Sequence, residues 1–307
     1  MNGAAALGRI AALLAIGHPP SPMASNGPLV AEKFISPAGA IQAFIGQATG
    51  VVAFGELHQT VKTAGVRSSL ARFTDEILPA IAPRASHLIV ETWVSRGDCG
   101  QTEKQVTRDV ARTTERPAET ENEIVRLLRR AKELGVAPHL LDVDCHAYQT
   151  LLASGGGVDY DRLLTMTGQH LGRAIQQALA LPRPAGRPLV LVYGGALHND
   201  LDPSPELAKY SFGPTIEALT RGNYREVDLY VPELVATLPA LRKERWYPAW
   251  RRVRATKGTT LIRRRPRSAV LLFEDQVAAI SNGRSSPFAR PPAAARDGAP
   301  GAGRGPR

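Results

Sequence analysis

The chain predicts an α/β fold with a mainly parallel central sheet, flanking helices and a site at the carboxyl edge of the strands. Three observations carry that expectation. Short apolar runs alternate with segments of helical periodicity from residue 51 to residue 231, the pattern of strand–helix–strand units. Hydrophobic residues make up 43% and charged residues 21% of the 307, an ordinary globular balance that excludes wholesale disorder. The longest clean apolar stretch, residues 10–17, is far short of the ~20 residues needed to cross a bilayer, so a multi-span membrane protein is excluded.

Residues 51–54 read as a buried strand that runs straight into Gly55, Glu56, Leu57 and His58. Val66, Leu70, Phe73 and Ile77 then recur at helical spacing over residues 66–78, and Pro79 should end or kink that helix. A second strand, residues 87–91, closes on Glu91. Residues 121–134 form a helix in which Thr120 caps, Glu123 sits three residues on, and Ile124, Leu127, Leu128 and Ala131 face inward. Gly135 stops it. The third strand is residues 138–144, followed by a helix over 161–181. The fourth, residues 189–193, enters Gly194, Gly195, Ala196, Leu197, His198, Asn199 and Asp200. A short helix near 214–219, a strand at 225–231 and a hairpin of 259–263 with 268–273 complete the domain, whose bounds are set at 28–280.

In open parallel sheets, ligands sit where strands hand over to loops at the carboxyl edge. Four successive strand ends carry polar residues there: Glu56 and His58; Glu91; Asp142, Asp144 and His146; His198, Asn199 and Asp200. Imidazole and carboxylate together hold a divalent ion or share acid and base work on a water. No spacing matches a zinc signature such as H-E-x-x-H, so the identity of a metal is not written in the chain. A lone Gly-x-x-His recurs by chance in many chains, but two of them directly after buried strands carry weight. Glu91 alone reads as a cap or an ion-pair partner; beside His58 and His198 it reads as part of a site. Asp142 and Asp144 share strand parity, and one of them can serve simply as a turn cap. His87, His139 and His170 read as packing or surface histidines. Cys145, Ser68 and Ser69 lack the setting of a nucleophile, and Gly155, Gly156 and Gly157 lack the Lys-Ser/Thr of a phosphate loop. Cys99 and Cys145 exclude a disulfide scaffold and a four-cysteine zinc module, leaving either one bridge or two thiols.

Charge is unevenly distributed. Of the formal +10, residues 242–267 hold eleven Lys/Arg and one Glu, whereas residues 1–241 hold 22 bases and 24 acids. Attraction to anionic surfaces is therefore confined to the C-terminal quarter, and the main domain gives no reason to expect specific nucleic-acid binding. Trp246, Tyr247 and Trp250 lie among these bases; the favoured reading docks the aromatics on the domain and leaves the arginines solvated. A weak anionic membrane-surface contact through 242–267 is the partner that follows. Residues 281–307, rich in Ser, Pro, Ala, Gly and Arg, have the composition of a disordered tail. Residues 1–27 read either as a weak signal peptide, implying the cell envelope or secretion, or as a misassigned start ahead of Met23, implying the cytoplasm.

The turns Gly55-Glu56-Leu57-His58 and Gly195-Ala196-Leu197-His198, with Glu91 closing the strand between them, resemble the superfamily uniting erythromycin esterases, TIKI/TraB proteins and ChaN-like haem-binding proteins. The resemblance covers residues 51–231. It implies Glu56, His58, Glu91 and His198 as catalytic residues acting on a small-molecule or peptide substrate. It also implies a divalent metal such as Mn, Co or Zn, for which His58, Glu91, His198 and Asp144 are the candidate ligands. The ChaN-like branch implies haem instead, with Tyr193 and Tyr210 as available ligands. The chain lacks the Thr that esterase members insert before the first histidine, which counts against macrolide hydrolysis.

Overall fold

The computed structural model describes residues 29–275; the expectations for 1–27 and 281–307 fall outside the described residues. The fold is α/β. Eight strands form one mixed, mostly parallel sheet in the order β1-β7-β8-β6-β2-β5-β3-β4. They are β1 (Ala31–Phe34), β2 (Val51–Glu56), β3 (Ala85–Arg96), β4 (Ala137–Asp144), β5 (Leu189–Gly195), β6 (Tyr224–Tyr230), β7 (Thr259–Arg265) and β8 (Ser268–Leu272). From β8 to β4 every pairing is parallel, and β7 alone runs antiparallel to both its neighbours.

The central strands β2 and β5 are buried at every residue, which is why their sequence is a continuous apolar run and not an alternation. One face is covered by α1 (Pro37–Ile45), by α2 (residues 69–81) and by α4 (Glu119–Glu133), which pack on Val52, Phe54, Leu88, Val90, Leu191 and Tyr193. On the other face α6 (Tyr160–Ala180) and α8 (Gly213–Leu219) bury Val51, Ala53, Ile89, Val190 and Val192. Ser36 starts α1 by accepting the Gly39 N–H, with Pro37 in the first turn, where its missing donor costs nothing.

Two expectations are corrected. The helix expected over 66–78 starts at Ser69 and does not end at Pro79, although its backbone departs from α geometry in the turn just before that residue. The segment passes from an α turn (Ser69–Arg72) through a π-helical stretch (Phe73–Ile77) into a second α turn (Leu78–Ile81). The wider turn, in which Leu78 N–H reaches Phe73 O, loosens the helix just before the proline ring, and buried Phe73 and Ile77 hold it to the core. Thr120 is not a cap: α4 begins at Glu119 and has no side-chain cap, while Glu123 accepts a hydrogen bond from Ser68 Oγ at 2.6 Å.

Two further helices extend the β4 side of the sheet. α3 (Gly100–Thr114) buries only Val106, which joins Val143, Tyr148, Leu151 and Leu163 beside α5 (Cys145–Thr150). A disulfide between Cys99 and Cys145 ties the starts of these two helices together and settles the cysteine question. A bridge across a sequence separation of 46 removes about 4 kcal/mol of loop freedom from the unfolded chain. Reductant should therefore lower unfolding stability by about 2–4 kcal/mol in denaturant titrations, and an unchanged midpoint would show that the bridge does not constrain the unfolded chain.

Candidate functional site

The site is assembled by strand register. In the parallel pairing of β2 with β5, Glu56 stands opposite Gly195 and Phe54 opposite Tyr193; on the other side of β5, Val90 stands opposite Tyr193. β3 runs on to Arg96, longer than its apolar stretch indicates, but leaves β5 after Val90 and shifts register against β4 between Ile89 and Trp93. Glu91 lies in that irregularity, where a strand can re-aim a side chain. Its carboxylate turns toward β5 and accepts the Gly195 N–H at 2.6 Å. A Cβ on Gly194 would stand 2.5 Å from Glu91 Oε2, and one on Gly195 would stand 3.1 Å from His58 Nε2, so this close approach needs both glycines.

Glu56 Oε1 accepts from His58 Nδ1 at 2.8 Å, and Glu56 Oε2 accepts from the Tyr193 hydroxyl at 2.5 Å. Burial first, and the neighbouring Glu56 charge second, push the Tyr193 phenol well above its ordinary range, so it stays a donor. His198 lies in the short helix α7 (Ala196–Asn199), and its Nδ1 donates to Tyr210 O at 2.9 Å. Both histidines therefore present Nε2, and each Nε2 lies 3.9 Å from the same atom, Glu91 Oε1. Burial raises the Glu91 carboxyl, but the charges of His198, His58 and Arg116, with the Gly195 N–H, outweigh it and hold the group below its usual range.

Nothing in the sequence pattern marked Arg116. Glu115 ends α3 in a left-handed conformation (φ 48°) and its carbonyl accepts the Val61 N–H at 2.8 Å, binding this corner to the loop that follows His58. Arg116 next to it is half-buried, acts electrostatically on Glu91 and Tyr193, and has no ion pair or hydrogen bond of its own among the described residues. Its nearest sequence neighbours are Glu115 and Pro117, which is why no local motif signals it.

The other expected positions fall elsewhere. Asp144 accepts the Ala147 N–H as the N-cap of α5, Asp142 pairs with Arg96 at the surface, and His146 is exposed, so the β4 end takes no part. His87 and His139 contact each other at 2.9 Å at the opposite edge.

Both tautomers suit a cation, because each Nδ1 hydrogen is held by an acceptor and each Nε2 lone pair faces a carboxylate. Two ligands on a tetrahedral ion, each at about 2.1 Å, stand about 3.4 Å apart. The 3.9 Å spacings are therefore wider by about half an ångström, and among the described residues no three His, Cys, Asp or Glu side chains are set to hold an ion as they stand. A separation of 3.9 Å is within the span of two hydrogen bonds of about 2.8 Å from one water, so each Nε2–Oε1 pair is spaced for a bridging water. His58, Glu91 and His198 thus suit a divalent ion in donor type and tautomer, and would close on it slightly. Haem fits less well. The Tyr193 hydroxyl is buried and engaged by Glu56, and the Tyr210 hydroxyl donates to Asp161 at 2.6 Å, so neither phenol oxygen is open to iron.

A second ionic cluster supports the His198 turn from below. Arg264 of β7 pairs with Glu226 at 2.9 Å and Asp228 at 2.8 Å, both buried on β6. Glu226 accepts the Leu201 N–H, Asp228 accepts from Asn199 Nδ2 at 3.3 Å, and the Tyr224 hydroxyl donates to Asn199 O. The residues on both sides of the turn are thereby fixed. No family model, no curated protein and no solved structure matches the chain.

Burial, augmented by Asp200 and Asp228 and opposed by Arg264, lifts the Glu226 carboxyl from 4.5 to about 7. A raised acid keeps its proton in the folded state after the unfolded chain has released it, so stability falls as pH rises from about 4.5 to about 7. E226Q should flatten that fall, as read from urea midpoints at the two ends of the range. R264M should lose about 3–5 kcal/mol, because two buried carboxylates lose their cation.

Proposed function

We propose that this chain is a hydrolase of ester or peptide bonds whose site is Glu56, His58, Glu91 and His198, with Arg116 beside them. The observation that carries the reading is the convergence of two imidazole Nε2 atoms on one carboxylate oxygen, each 3.9 Å away, with a second carboxylate behind one of the rings.

His58 is the general base. Glu56 accepts its Nδ1 hydrogen, which leaves Nε2 free to take a proton from water and stabilises the imidazolium that forms. Tyr193, donating to the other Glu56 oxygen, keeps that carboxylate in place. Glu91 Oε1 orients the water from its other side. As hydroxide adds to the substrate carbonyl, the oxygen that gains charge faces Arg116 and His198. Collapse of the tetrahedral species releases the alcohol or amine, which takes a proton from an imidazolium. That proton is the one His58 drew from water, so both rings are neutral again once it is given up, and the acid product releases its own proton to solvent.

A divalent ion is the second reading, favoured by the tautomers described above. His58, Glu91 and His198 would hold it, and when bound it would supply a lowered water pKa and Lewis acidity at the carbonyl. Elemental analysis of protein purified without a histidine tag tests it: stoichiometric Mn, Co or Zn that disappears in both H58A and H198A is the expected result for this reading. Haem has no comparable support, and its absorption band on titration would count for the ChaN-like alternative.

Across a panel of ester and peptide substrates, H58A should lose about 10²–10⁴-fold in turnover while keeping the wild-type unfolding midpoint. A variant as fast as wild type would remove His58 from the mechanism. Arg116 faces the developing charge, so R116A should lower kcat about 10²-fold with KM changed less. A rise in KM alone would make Arg116 a ground-state binding residue.

A further inference from the structure

The crossover between β6 and β7, residues 231–258, contains seven exposed Lys and Arg residues, and its placement is fixed by both ends. β6 finishes beside the end of β2, with Leu229 opposite Glu56. β7 begins beside the end of β8, with Thr260 opposite Leu272, and Leu272 is in turn opposite Tyr230. The crossover therefore leaves from and returns to the carboxyl edge of the sheet, the edge that carries the histidine–glutamate cluster. Its apolar side chains Leu241, Trp246, Ala249 and Trp250 are buried against Tyr230, Ile262, Val270 and Leu272, and Leu57, between Glu56 and His58, packs on the same group.

Of the eleven bases between residues 242 and 267, the four on and after β7 are neutralised within the fold. Arg263 pairs with Glu32, Arg264 with Glu226 and Asp228, Arg265 with Asp202, and Arg267 with Glu217. The seven in residues 242–257 are all exposed, and the acid among them, Glu244, is buried. Lys243, Arg251, Arg252 and Lys257 make no ion pair among the described residues.

We propose that this surface docks on anionic phospholipid bilayers and turns the carboxyl edge of the sheet toward the membrane. Charge complementarity selects the partner's sign, and two observations select lipid over nucleic acid. The indoles of Trp246 and Trp250 are 1% and 2% exposed and Tyr247 is partly covered, so neither indole offers the arginines an open face beside them on which bases could stack. A disulfide such as Cys99–Cys145 persists in oxidising compartments, away from the bulk of cellular nucleic acid. With both indoles buried, attachment is mainly electrostatic, reversible and weakened by salt, at about fivefold per basic residue near the surface.

The test is co-sedimentation of the full chain with vesicles of phosphatidylcholine alone or mixed with phosphatidylglycerol. Binding should require the anionic lipid and fall steeply with salt. K243Q/R251Q/R252Q/K257Q, which alters exposed side chains only, should weaken it by at least about a hundredfold with an unchanged unfolding midpoint. A parallel variant changing Arg284, Arg290, Arg296, Arg304 and Arg307 to Gln should bind as wild type. Loss of binding in this second variant with retention in the first would place the attachment in residues 276–307 and overturn the proposal. So would an absence of binding to anionic vesicles, or binding to a labelled DNA duplex in preference to them. None of these outcomes depends on whether the site hydrolyses anything, so failure here is separable from failure of the hydrolase reading.

Discussion

The pairing of β5 between β2 and β3 is the constraint on which the site depends. Parallel strands in fixed register bring Glu56 opposite Gly195 and Val90 opposite Tyr193, so three residues far apart in the chain meet at one edge. A slip of one residue would send Tyr193 to the opposite face and separate its hydroxyl from Glu56. The register is held by burial. Val190 and Val192 belong to one hydrophobic face and Leu191 and Tyr193 to the other, each packed against helices, so a shifted pairing would exchange side chains of different size and shape on both faces and break that packing.

Around that frame, negative charge is concentrated and then balanced locally. Glu56 and Glu123 both act on Tyr193, and burial raises Glu123 as well, with the nearby Glu56 charge adding to the shift. Hydrogens from Tyr193, His58, Ser68 and the Gly195 backbone satisfy these acids and Glu91, and Arg116 supplies the cation. The cluster around Arg264 repeats the device one strand away, with Glu226 and Asp228 held by a buried guanidinium. The two clusters meet at the His198 turn. The histidine ring takes its orientation from Tyr210 O on one side, and its neighbours are held by the β6 carboxylates beneath them.

Much of this was legible locally. Apolar runs bounded by Gly-x-x-His marked β2 and β5 and their polar ends, and the same reading located β3, β4, β6 and the β7–β8 hairpin. What it overran or missed has physical causes. β4 ends in Asp142, Asp144 and His146 with the look of a site, yet β4 is an edge strand whose end is occupied by capping α5 and by a surface ion pair. Helix α3 escaped notice because it buries a single residue and owes its position to the disulfide and to the Glu115–Val61 hydrogen bond. Pro79 looked like a terminator because a local rule cannot foresee a π-helical stretch supported by core packing.

The sequence by itself determined the α/β class, the strands of the sheet core, and the residue types gathered at their carboxyl ends. These are properties of neighbours in the chain: periodicity, apolar runs and glycine turns act over a few residues. Only the tertiary structure decided which polar ends share a site, how Glu91 is aimed by the irregularity in β3, and that Arg116 joins it. It also divided one basic stretch into four paired arginines and a solvent-facing surface. Those outcomes are set by contacts such as Tyr193 with Glu56, 137 residues apart, and Arg264 with Glu226, 38 apart. Charge pairing at such separations follows strand order and register, which are fixed when the whole core closes and are not written in any local segment.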